Sequence, residues 1–202
     1  SYAAAIGLAL ASISMSSLPT HAAPFNAPVS VGGNGGEFFR FVCPGGAYLV
    51  GLSGNTGAFV DHIKMVCATW NPATNRLNDP FVDSRQIGTS NGGGFREVRC
   101  NQGPVAARDS VIGSMFLSST LRGDVPVPFV IDDTVEMRCF SKDSPTSPVF
   151  TPKFGTGTDD GRPERARGVT ECPGTNQAVG LYGQRGGFID RLGLVCDAFP
   201  PQ

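Results

Sequence analysis

The 202-residue chain is short of charge, of histidine and of long apolar runs. Charged residues make up 16% and the net charge is −1. No cluster of Lys and Arg forms the basic footprint that nucleic acid requires, and no acidic block forms a solvating tail. Only His21 and His62 occur, and no Cys-x-x-Cys pair, so the common zinc spacings are missing. No metal and no cofactor is expected. There is no Asn-x-Ser/Thr sequon, so N-glycans are not expected either. The apolar run from Ala3 to Ala11 is too short for a bilayer span, which needs about 20 residues.

What is abundant is glycine (27) and proline (16). That mixture suits short strands joined by tight turns and disfavours long helices. Residues 1–23 have the composition of a secretory signal: the apolar run, a Ser-rich stretch, then small residues at Ala22 and Ala23. Residues 24–202 are expected to form one domain, opened by an arm from Ala23 to Val31. All six cysteines fall in that part: Cys43, Cys67, Cys100, Cys139, Cys172 and Cys196. An even count behind a signal implies three disulfides and an oxidising, extracellular compartment. Spacing alone leaves their pairing open.

The cysteines frame an internal repeat. Cys43 to Cys67 reads CPGGAYLVGLSGNTGAFVDHIKMVC, and Cys172 to Cys196 reads CPGTNQAVGLYGQRGGFIDRLGLVC, aligned without a gap. A looser copy lies between Cys100 and Cys139, where Ile112-Gly113 echoes Val50-Gly51 and Ile131 to Cys139 echoes Phe59 to Cys67. Asp61, Asp133 and Asp190 each stand at the same distance before a closing Cys. A glycine cluster precedes each opening Cys: Gly32-Gly33-Asn34-Gly35-Gly36, Asn91-Gly92-Gly93-Gly94, and a looser Gly155, Gly157 and Gly161. The modules run about 31–67, 88–139 and 155–196. The connector at 68–87 carries Trp70, which is expected to pack on a sheet end. The connector at 141–165 is rich in Ser, Thr, Pro and Gly.

Within a module the periodicity is that of strands. Three strands running up, down and up would bring Cys43 and Cys67 to one end. Such a bridge, closing a loop of about 25 residues, would contribute roughly 3 kcal/mol. Phe59, Asp61, Ile63, Met65 and Cys67 alternate onto one face. One module cannot bury that face alone. Three modules about a pseudo-threefold axis can.

The stretch Gly180 to Gly193 resembles the last Greek key of jacalin-related lectins, and Gly32 to Gly36 resembles their glycine loop. Gly113-Ser114-Met115-Phe116 and Asp132-Asp133-Thr134 resemble the vitelline membrane outer layer protein 1 family. Both resemblances imply an all-β, type I β-prism of three antiparallel Greek-key sheets. The lectin resemblance also implies a sugar site at Gly-x-x-x-Asp, where a carboxylate and backbone amides hold one ring. By that analogy Gly35 and Gly36 face Gly186, Gly187, Phe188 and Asp190. A second set joins Gly92 and Gly93 to Gly57, Phe59 and Asp61. The third is expected to be degenerate, because Phe129 stands where Gly57 does.

Other readings compete. An Asp in a glycine-rich turn often hydrogen-bonds its own backbone and does nothing more. A structural or coat protein of the extracellular matrix needs no sugar site. Catalysis would have to use His62 beside Asp61 on an exposed strand, or a pair among Asp61, Asp132, Asp133 and Asp190. Asp159-Asp160 lacks the ligand spacing of a calcium loop, and Arg162, Arg165 and Arg167 interleaved with Glu164 read as a solvated face. The expectation is a secreted, non-catalytic, lectin-like protein whose partners are glycans or matrix components, with its oligomeric state open.

Overall fold

The computed structural model describes residues 22–121, 129–155 and 164–199. The proposed signal up to residue 21, Gly157, Gly161, Arg162 and the Asp159-Asp160 pair lie outside them. Three antiparallel hairpins carry the fold. They are Tyr48–Thr56 with Val60–Ala68, Ser110–Leu121 with Phe129–Ser141, and Asn176–Arg185 with Ile189–Ala198. Each is the centre of a sheet, called here sheets one, two and three. Among the described residues no helix is long and apolar enough to cross a membrane.

The strand that leads into each opening Cys does not pair with the hairpin that follows it. Glu37–Val42 pairs with Asn176–Arg185 in sheet three, Gly94–Arg99 with Tyr48–Thr56 in sheet one, and Glu164–Glu171 with Ser110–Leu121 in sheet two. The up, down and up sheet expected within one module is therefore corrected. Its three strands are split over two sheets. The physical reason is visible at the first corner. Pro44–Gly46 forms a 3-10 turn with Gly45 and Gly46 at φ 64° and 70°, a left-handed conformation that swings the chain out of sheet three into sheet one.

The disulfides sit at these corners. Cys43 pairs with Cys67, Cys100 with Cys139 and Cys172 with Cys196. Each joins the end of a strand in one sheet to the closing strand of the next, so together they tie all three sheets into a ring. Outer strands complete the sheets: Phe81–Ile87 on sheet one, Lys153–Phe154 on sheet two, and Phe25–Asn26 with Val31–Gly32 on sheet three. The N-terminal arm is thus docked on its own domain, with Phe25 opposite Cys196 and Asn26 opposite Val195. Arg40 Nε donates to Asn26 Oδ1 at 2.9 Å and holds it there.

The core is shared equally by the sheets. Leu49, Leu52, Ile63 and Met65 meet Ile112, Met115, Leu117 and Met137, and these meet Leu181, Ile189, Leu192 and Leu194. All are buried, and each such side chain is stabilised by about 1.5–3 kcal/mol on leaving water. A second apolar layer gathers Tyr48, Val50, Val66, Val179 and Val195, with Trp70 packed edge-on against Phe199 at 5.6 Å. Val50 and Val179 are the extra residues of a bulge that recurs in all three hairpins, at Val50, Gly113 and Val179. Gly113 therefore corresponds to Val50, and Ser114 to Gly51, one place away from the expected match.

Candidate functional site

At the turn end of each hairpin the ladder is broken by a second bulge. In sheet three Gln184 pairs with Arg191 and Arg185 with Ile189, which leaves Asp190 as the extra residue. In sheet one Asn55 pairs with His62 and Thr56 with Val60, which leaves Asp61. A bulge bends the strand and re-aims a side chain. Here it turns a carboxylate out of the ladder toward the glycine loop docked alongside. Sheet two has a longer bulge, residues 132–134 between Ile131 and Val135. The side chains of Asp132, Asp133 and Phe129 lie outside the described residues.

The first assembly joins loop 32–36 to the turn at 185–190. Gly33 N donates to Asp190 O at 2.8 Å, and Gly186 N donates to Phe188 O at 2.9 Å. Gly36 has φ 71°, and a Cβ there would fall 2.3 Å from Arg185 O and 2.6 Å from Asp190 Oδ2. Only glycine lets the loop approach this closely. With its amide assigned so that the nitrogen faces the loop, Gln184 donates to the carbonyls of Gly33, Asn34 and Gly35 at 3.2, 3.1 and 3.2 Å and props the loop from below. Asp190 is 5% exposed. Among the described residues no donor reaches its carboxylate, and burial pushes its pKa up to about 6.

The second assembly repeats the first with one change. Gly93 has φ 63°, and a Cβ there would fall 2.3 Å from Thr56 O, as in the first loop. Gly57 lies against Gly93, and Gly92 against the Asp61 carboxylate. Asn55, the counterpart of Gln184, donates to Asn91 O at 3.5 Å. But the stretch from Gly88 to Gly93 is one residue longer than that from Gly32 to Gly36. The longer loop brings in Ser90, whose Oγ donates to Asp61 Oδ1 at 2.7 Å. Asp61, also 5% exposed, is thus satisfied by its own chain.

The two assemblies touch. Thr89 N and Ser90 N donate to Gly187 O at 3.0 and 2.7 Å, and the rings of Phe59 and Phe188 meet edge to face at 5.5 Å. Gly187 therefore helps to hold the second loop and Phe188 packs on the turn of the neighbouring hairpin, while Gly186 is the residue that lies against Gly36. Gly94 opens the strand Gly94–Arg99.

His62 was expected on an exposed strand, yet it is 8% exposed. It remains on the face opposite the core residues Ile63 and Met65, and the loop through Gly88 and Ser90 covers it there, while the bulge at Asp61 turns Val60 rather than Phe59 to the core. The His62 Nδ1 bonds to the Ser90 carbonyl at 2.8 Å, while the Ser90 hydroxyl is committed to Asp61. Histidine and hydroxyl are thus not coupled as base and nucleophile. Among the described residues no three His, Cys, Asp or Glu side chains group as metal ligands. Sequence reasoning missed Ser90 and the amide props Gln184 and Asn55. The props share the repeat's alignment, and the one-residue loop insertion marks Ser90.

No family model matches the sequence, and no curated protein matches it significantly. Solved structures do match in shape. Malaysian banana lectin superposes with a TM-score of 0.55 at 16% identity, over 88% of this chain and 100% of that one. Artocarpin, a lectin with mannose specificity, gives 0.57 at 12% identity over 87% and 99%. A mannose-binding jacalin-related lectin from Ananas comosus gives 0.53 at 14% identity over 85% and 98%. The chain has the β-prism fold of these lectins.

Proposed function

We propose that this chain is a secreted, non-catalytic saccharide-binding protein with one open site, formed by Gly36, Gly186, Gly187 and Asp190. The observation that carries this is the Asp190 carboxylate: nearly buried, held in place by a bulge, and given no donor among the described residues. A buried carboxylate without donors costs stability. A sugar's hydroxyls would supply the missing charge-assisted hydrogen bonds, and the glycines let the ring reach the backbone. The fold-neighbours whose names specify mannose make mannose the first sugar to try. Three disulfides and the composition of residues 1–23 support secretion.

The test is a glycan array followed by titration of wild type, Asp190→Asn and Asp61→Asn. Asp190→Asn is expected to weaken binding by at least about 30-fold, the effect of losing charge-assisted bonds. Asp61→Asn is expected to stay within about threefold, because Ser90 already occupies that carboxylate. A wild type that binds no glycan, or two variants that behave alike, would defeat the reading.

A further inference from the structure

Phe38 and Phe95 are the most exposed aromatic side chains among the described residues, at 60% and 67%. A single exposed Phe needs no explanation. These two, however, occupy the same place in two sheets. Each stands two residues after the left-handed glycine of its loop, Gly36 or Gly93. Each is directly opposite the amide that props that loop, Phe38 across from Gln184 and Phe95 across from Asn55. Phe39 faces the core, so strand alternation puts Phe38 on the outer face, beside the loop.

The third sheet supplies the control. Its matching position is Arg167, opposite Ser118. There the glycine loop of the right spacing is missing, and so are the amide and the aromatic ring. The exposed ring therefore goes with the glycine loop and not with the sheet. Neighbouring residues do not explain it, since Glu37-Phe38-Phe39-Arg40 and Gly94-Phe95-Arg96-Glu97 share little else.

We propose that Phe38 is an aromatic platform that extends the Gly36–Asp190 site, so that the ligand is an oligosaccharide whose second ring lies on Phe38. This rests on the saccharide reading of that site. The chain from Gly36 to Phe38 spans at most about 7 Å, so the platform adjoins the place of the first ring. A pyranose has one face of C–H groups, and the Phe face carries the negative side of the ring quadrupole, so the two attract. Phe has only two side-chain torsions to fix and no hydroxyl to compete for hydrogen bonds. Phe95 is the same device beside a carboxylate that Ser90 already fills.

The probes are mannose, glucose, galactose and N-acetylglucosamine, each as the single sugar and as its linear trisaccharide. Titrations use wild type, Phe38→Ala, Phe38→Trp, Phe95→Ala and Asp190→Asn. For whichever sugar binds, Phe38→Ala is expected to weaken the trisaccharide about tenfold and the single sugar less than about twofold. Phe38→Trp should restore the trisaccharide, and Phe95→Ala should change neither. Equal effects of Phe38→Ala on both probes, or none on either, would overturn the platform while a loss in Asp190→Asn kept the site. So would a change in sedimentation on Phe38→Ala, which would make the ring a contact between copies. Absence of binding by wild type to every probe would sink the saccharide reading itself, and the platform with it.

Discussion

Loop 32–36 and loop 88–93 dock on the hairpin turns of two neighbouring sheets by the same devices. Each has a left-handed glycine pressed on a turn carbonyl, an amide prop beneath, and a bulged Asp beside it. They differ in how the Asp is finished. The longer loop folds Ser90 onto Asp61, and that assembly is complete in itself. The shorter loop has only glycines and Asn34 to offer, and Asn34 Oδ1 is taken by Arg191 Nη2. Asp190 stays without a donor among the described residues. The same scaffold thus serves once as a structural clasp and once as an opening. A repeated motif, taken alone, does not distinguish the two. The partner of the carboxylate does.

The sharpest way to break this comparison is at the glycines. Ala at Gly36 or Gly93 would have to take a left-handed φ and place its Cβ 2.3 Å from a backbone carbonyl oxygen. Each substitution is expected to cost about 3 kcal/mol, read from denaturant melts. The losses in stability should match, because the backbone geometry matches. Glycan binding should separate them, lost in Gly36→Ala and kept in Gly93→Ala. Binding lost in both would mean that the second loop also holds ligand, or that the two loops move as one through Gly187.

Much of this was legible in the chain itself. The equal spacing of the first and last copies pointed to two turns with the same glycines and the same Asp, and the cysteines marked where the copies end. Three things could not be read that way. The strand before each Cys has the same alternation whichever sheet it joins, so its transfer to the preceding sheet was invisible. The bulges depend on register with a partner strand, which is why Phe59 and Asp61 were placed on the face of Ile63, which Val60 takes instead, and Gly113 one position off. Ser90 meets Asp61 across 29 residues of chain, a distance at which only the folded structure brings them together.

A smaller effect is expected at Ser90. Ser90→Ala removes the one hydroxyl on Asp61 Oδ1 and leaves the backbone bond from His62 untouched. Stability should fall by about 1–2 kcal/mol, the cost of leaving a buried acceptor unpaired. The variant would turn the clasp into a copy of the opening. In a titration the sugar stoichiometry should then rise from one toward two per chain. An unchanged melting temperature would mean that the Ser90 bond contributes nothing, and the contrast between the loops would lose its basis.

The smallest expected effect, and the most specific, concerns the cost of keeping Asp190 open. Burial pushes its carboxyl up to about 6, against about 3.9 in an unfolded chain. Between those values the folded chain holds a proton that the unfolded chain has lost. Stability from this group is therefore greatest below about pH 4 and declines as the pH rises through about 6. Asp190→Asn keeps the shape and removes the ionisation. With allowance for solvent near the opening, it should raise stability by about 1 kcal/mol at pH 7.5 and by nothing at pH 4. Ligand binding by wild type should follow the opposite course. Hydroxyl donors favour the ionised carboxylate, so affinity should fall by up to about tenfold per pH unit below about 6. Thermal melts from pH 4 to 8, with and without sugar, measure both trends. Equal stability of wild type and Asp190→Asn at pH 7.5 would mean that the carboxylate is already satisfied, and the first loop would then be as closed as the second.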